Sequence, residues 1–150
     1  MKEIGSGHFY GRLRNKKRHH PLNGQIELTY RCNLNCIHCY CKALEDNAGE
    51  LNTLEWKKIL DEIQSQGCVY LTLTGGDPLI REDFLELYAY AKKRCFIITI
   101  FTNGQSLNRR ILNYLAKSPP FSIEITLNGI TKETYESITQ VKDSFSIVME

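Results

Sequence analysis

The chain has 150 residues, 42% hydrophobic and 24% charged, with a formal net charge of +2 and six cysteines. That length suits one domain or part of a larger one, and the apolar and charged fractions exclude a wholly disordered chain. No apolar run approaches the roughly 20 residues that span a bilayer, and the polar, basic N-terminus lacks a secretory signal, so the chain is read as cytoplasmic.

In a reducing cytosol, cysteines serve as metal ligands or plain thiols and not as disulfides. Residues 1–22 form a basic arm, in which Lys2, Arg12, Arg14, Lys16, Lys17 and Arg18 stand against Glu3 alone. With few aromatics and no nucleic-acid motif, the arm reads as a solvated terminus, and nucleic acid is not an expected partner. A short strand is expected over 25–30, followed by the cysteine segment. Asn52-Thr53-Leu54-Glu55 has capping-box spacing, and Trp56, Ile59, Leu60 and Ile63 follow at helical intervals until Gly67. A second strand over 69–73 ends at Thr74-Gly75-Gly76-Asp77-Pro78. The next helix shows Phe84, Leu87, Tyr88 and Ala91 on one face. A third strand over 96–101 ends at Thr102-Asn103-Gly104, and Ile111, Tyr114 and Leu115 mark a shorter helix. A fourth strand over 121–127 closes at Asn128-Gly129, and residues 131–150 read as helical with a break near Asp143. This alternation with short connections predicts an α/β fold: parallel strands, right-handed crossovers and about four βα units of a partial TIM-like barrel.

The strands also show which face is which. Phe121, Ile123, Ile125 and Leu127 alternate with Ser122, Glu124 and Thr126, and Val69, Leu71 and Leu73 alternate with Tyr70, Thr72 and Thr74. A sheet covered by helices on both faces would read as continuous hydrophobics. One face here is apolar, while the other carries Thr and the carboxylates Glu27 and Glu124. An unpaired buried carboxylate is costly, so the polar face is expected to line a space that holds a polar ligand.

Chemistry concentrates in Cys32-Asn33-Leu34-Asn35-Cys36-Ile37-His38-Cys39-Tyr40-Cys41, directly after the first strand. Three thiolates from one loop can converge on a single centre, and soft thiolates select zinc, copper(I) or iron–sulfur clusters. A structural zinc site takes four ligands. His38 or Cys41 could supply the fourth, under strain because both lie so close to Cys39. A cluster held by three cysteines leaves one iron open for a ligand. Cys68 and Cys95, each ahead of a strand, read as buried thiols.

Cys32-x3-Cys36-x2-Cys39 resembles the signature of the radical S-adenosylmethionine (SAM) enzymes. The surrounding order of Leu28-Thr29, Tyr40, Thr74-Gly75-Gly76-Asp77-Pro78, Thr102-Asn103-Gly104 and Ile125-Thr126-Leu127-Asn128-Gly129 is similar to the SPASM-type subgroup of peptide maturases and anaerobic sulfatase-maturing enzymes. The resemblance covers residues 23–150. It implies that Cys32, Cys36 and Cys39 ligate a 4Fe–4S cluster whose fourth iron takes SAM, which is cleaved reductively to a 5′-deoxyadenosyl radical that abstracts a hydrogen. It further implies that His38 lies near the adenine and that Gly75 and Gly76 receive the SAM amino group. Asp77 stands where the family has Glu, Thr126 contacts the ribose or carboxylate, and Thr139 stands near a position where relatives carry Arg. The implied partners are a peptide or protein substrate and an electron donor of flavodoxin or ferredoxin type. The alternative is a non-catalytic zinc or iron–sulfur module.

Eight βα units need about 250 residues. Four units leave open sheet edges and an apolar face partly uncovered. The expectation is the N-terminal part of a radical SAM domain: a truncated piece, a split reading frame or a remnant, able to bind a cluster without turning over.

Overall fold

The computed structural model describes residues 21–43 and 49–150. The basic arm, up to residue 20, lies outside the described residues. Strands β1 (Asn23–Glu27), β2 (Tyr70–Thr74), β3 (Ile97–Thr102) and β4 (Ser122–Ile125) form one sheet in sequence order, and each neighbouring pair is parallel. Helices α1 (Thr53–Ser65), α2 (Phe84–Lys93) and α3 (Arg109–Lys117) make the crossovers, and α4 (Lys132–Thr139) and α5 (Ser144–Met149) follow β4. This is the expected α/β unit of a partial barrel.

Local chemistry sets the boundaries. The Asn52 side chain accepts the Leu54 and Glu55 N–H groups, while Glu55 accepts the Asn52 N–H at 2.8 Å, completing the capping box. Asn108 and Thr131 cap α3 and α4 more simply, each side chain accepting one N–H, from Ile111 and Thr134. The break near Asp143 is real: Gln140 and Asp143 both take left-handed backbone conformations between α4 and α5.

Leu71, Leu73, Ile98 and Ile100 form the inner face of the sheet and pack against Trp56, Leu60, Phe84, Leu87, Tyr88, Ile111 and Leu115. Phe84, Leu87, Tyr88 and Ala91 are all buried, as their spacing predicted. Two sequence readings need correction. β1 begins and ends earlier than expected, because after Leu28 the chain leaves the ladder: the carbonyls of Thr29 and Arg31 accept the N–H groups of Gly76 and Asp77. Cys95 is exposed with φ 63°, on the turn out of α2, so of the two cysteines read as buried thiols Cys68 is buried and Cys95 is not. The polar face is also less uniform than its Thr pattern suggested, since β3 contributes Ile97 and Phe101 to it. Register places Glu27 beside Thr74 and Phe101 beside Glu124, at the carboxyl ends of the strands.

Candidate functional site

The cysteine loop lies across the carboxyl ends of the strands, held from both sides. At its start, the Thr29 hydroxyl donates to Glu50, the Arg31 and Arg81 guanidiniums lie 3.3 and 3.6 Å from the same carboxylate, and Arg81 donates to the Leu28 carbonyl at 2.9 Å. Further along, Asn35 and Ile37 donate their N–H groups to the Thr139 and Ile138 carbonyls at 2.9 and 3.0 Å. These bonds flank Cys36. They consume carbonyls that the end of α4 would otherwise leave unpaired.

The glycine pair brings β2 against this loop. A Cβ on Gly75 would sit 2.2 Å from the Thr29 carbonyl oxygen, and one on Gly76 would sit 2.2 Å from that of Arg31. Gly75 also has φ 142°, a conformation open mainly to glycine. Close approach of two backbones is therefore the structural requirement at both positions.

Cys32, Cys36, His38, Cys39, Gly75, Gly76 and Thr126 line one cavity of about 240 Å³, together with Thr74, Phe101, Asn103 and Asn128. Seven residues singled out from the sequence thus meet in one place. Asp77 does not join them. Its carboxylate is fully buried and accepts the Thr102 hydroxyl at 2.7 Å and the N–H groups of Asn103 and Leu79, both at 2.9 Å. Burial pushes this carboxyl up, against the lowering effect of those three donors. Asp77 thereby fastens the end of β2 to the end of β3.

That fastening reaches the thiols. The Asn103 amide donates to the Cys32 sulfur at 3.4 Å and to Asn33 Oδ1 at 2.8 Å, and Leu34 N–H also donates to Cys32 at 3.4 Å. The Asn128 amide approaches the Cys36 sulfur at 3.9 Å. Burial pushes the Cys32 thiol up, as does the Asp77 charge, while the Leu34 and Asn103 donors favour its thiolate. For Cys36, burial again raises the thiol, followed by the charges of Cys32 and Cys39. The Cys32 and Cys36 thiolates thus resist forming until a cation compensates. Asn103 and Asn128 were not read from the sequence as site residues. Their signal was present, since both sit in Asn-Gly turns at strand ends.

Among the described residues, no three Cys, His, Asp or Glu side chains are drawn together tightly enough to cage one metal ion. Ligands to an iron–sulfur cluster go to separate irons, so they need a shared cavity and not a shared point, and the thiol-only donor set here fits such a cluster. Cys41 is not among the cavity residues. Its thiol is buried and donates to the Gly75 carbonyl at 3.5 Å, off the cavity that Cys32, Cys36 and Cys39 line. Tyr40 donates to Glu27 at 2.6 Å, and that hydrogen bond, followed by burial, pushes its phenol up.

Parallel βα units with a thiol-lined cavity at the strand ends define a partial-barrel protein of the cofactor-binding kind. A model of the radical SAM superfamily matches residues 26–150, and the chain belongs to that superfamily. It is 36% identical over 123 residues to the mycofactocin maturase MftC of Mycobacterium ulcerans, covering 79% of this chain and 33% of that protein. It is 34% identical over 119 residues to the PqqA peptide cyclase of Granulibacter bethesdensis, covering 79% and 32%. The chain thus spans about a third of the length of these curated relatives. Among solved structures, Streptococcus suis SuiB bound to the precursor peptide SuiA superposes with a TM-score of 0.72 at 22% identity, over 82% of this chain and 28% of that one. That likeness speaks for the fold. Among the described residues, no helix is long and apolar enough to cross a membrane.

Proposed function

We propose that residues 23–150 form the cluster- and SAM-binding part of a radical SAM enzyme that modifies a peptide or protein. The observation that carries this reading is the meeting of Cys32, Cys36 and Cys39 on one cavity with His38, Gly75, Gly76 and Thr126, at the carboxyl ends of parallel strands. The names of the relatives support the substrate class, since one is a maturase and another a peptide cyclase, and SuiB is seen with a precursor peptide.

Cys32, Cys36 and Cys39 would hold three irons of a 4Fe–4S cluster. Bound there, cluster and SAM would supply one-electron reductive cleavage of the S–C5′ bond, releasing methionine and a radical able to abstract a substrate hydrogen. The backbone of Gly75 and Gly76 would receive the SAM amino group, His38 would border the adenine, and the Thr126 hydroxyl would serve the ribose or carboxylate. Asp77 works indirectly, by fixing the turn that carries Asn103. Thr72, Thr99 and Ser122 extend a polar surface from the cavity along the sheet, which suits a polar substrate. A flavodoxin- or ferredoxin-type donor supplies the electron, and the unpaired cysteines suit a reducing cytoplasm.

Anaerobic reconstitution with iron and sulfide tests this. The expected product is brown with about four irons per chain, as a 4Fe–4S cluster requires. Alanine at Cys32, Cys36 or Cys39 should abolish the colour, while alanine at Cys68 or Cys95 should leave it. A colourless protein with stoichiometric zinc would overturn the reading.

A further inference from the structure

The loop that carries the three cysteines closes on a single peptide unit. Ahead of Cys32, the Thr29 carbonyl accepts the Gly76 N–H at 2.7 Å, and beyond Cys39, the Cys41 thiol donates to the Gly75 carbonyl at 3.5 Å. That N–H and that carbonyl belong to one planar trans amide, in which they point in opposite directions. The Gly75–Gly76 peptide is therefore gripped at both poles, by the chain entering the loop and by the chain leaving it. The sheet does not hold it, since β2 ends at Thr74. Gly75 takes φ 142°, and a glycine with that freedom needs an outside contact to keep its carbonyl in one orientation. Cys41 is placed to give that contact: it opens a short 3-10 turn, Cys41–Ala43, and is 3% exposed. Its other polar neighbours have partners of their own. The Tyr40 hydroxyl is committed to Glu27 at 2.6 Å, and Cys39 lines the cavity with the other two thiols of the triplet.

We propose that Cys41 is a positioning residue whose thiol holds the Gly75–Gly76 peptide in the orientation that receives the amino group of SAM. The inference rests on the reading of the cavity as the cluster and SAM site. Gly75 borders that cavity and Cys41 does not, so the thiol acts through the peptide and not on the ligand. Without the donor, part of the binding free energy goes into ordering the peptide, and affinity falls.

The test compares wild type, Cys41→Val, Cys41→Ala and Cys41→Ser as full chains after anaerobic reconstitution. SAM is titrated against the reduced cluster, and the change in its EPR signal gives a Kd. Loss of one hydrogen bond should raise the Kd about three- to tenfold in Cys41→Val and Cys41→Ala, with iron content and the SAM-free signal as in wild type. Cys41→Ser keeps a donor and should restore affinity to near the wild-type value. Alanine and serine leave similar space, so a donor effect separates them and a packing effect does not; valine fills the space without a donor. Wild-type affinity in Cys41→Val, or an equal loss in Cys41→Ser and Cys41→Ala, overturns the inference while the cluster and SAM reading stands. So does an altered iron content or SAM-free signal in Cys41→Val, which would mean that the thiol acts on Cys39 instead. A wild-type chain that takes up no cluster, or whose cluster signal ignores SAM, overturns both.

Discussion

The centre of the sheet and its β4 side follow the same alternating pattern and end differently. Leu73 and Ile100 on β2 and β3 are 1% and 0% exposed, whereas Ile123, Ile125 and Leu127 on the β4 side are 36%, 46% and 47% exposed. Alternation decides which face a residue joins, but burial requires something to cover that face. Helices α1 to α3 cover the centre, while Phe121, Ile130 and Met149 leave further apolar surface open around β4. The cysteine loop straddles both regions. Cys32 is held from the centre through Asp77 and Asn103, and Cys36 is held from the β4 side through Asn128 and the end of α4.

Substitutions can sharpen this contrast. Ile100→Ala should cost about 2–5 kcal/mol in chemical denaturation, as a fully buried large-to-small change does. Ile125→Ala should cost less than about 1 kcal/mol, since roughly half of that side chain already meets water. Equal losses would show that β4 is covered in solution and would break the comparison. Gly76→Ala should cost about 3 kcal/mol, because its Cβ would meet rigid backbone oxygens and no flexible side chain can yield. A smaller loss would mean the β2 turn and the cysteine loop can separate freely. At the thiols, Asn103→Ala should weaken iron retention against a chelator by about tenfold or more, the usual effect of losing a partner behind a metal ligand. Asn128→Ala should act more weakly, given its longer 3.9 Å approach. The reverse order would place the better-held thiol on the β4 side.

Much of this was legible in the sequence because it is local. The capping box at Asn52, the buried stripe on α2 and the cysteine spacing need only near neighbours. Tertiary direction was not legible. Asp77 reads as a cavity carboxylate at the end of a glycine pair, yet the β3 turn captures it from behind. Cys41 reads as a strained fourth ligand beside Cys39, and the direction of its thiol, onto the Gly75 carbonyl, is set by β2. Phe101 falls on the polar face because it stands two residues after Thr99, and strand alternation carries an aromatic there as readily as a threonine. The docking of α4 uses backbone carbonyls, which no side-chain pattern reveals. Glycine at 75 and 76 was legible as a requirement, but the reason is contact between two backbones.

The central claim is that three thiols hold a cluster and leave one of its irons without a protein ligand. Mössbauer spectroscopy of protein reconstituted anaerobically with iron-57, recorded before and after SAM is added, tests it most directly. The account predicts that one iron signal shifts with SAM while those of the three cysteine-bound irons stay in place. Iron signals that all ignore SAM, or an absence of cluster signal in the wild-type chain, would contradict it.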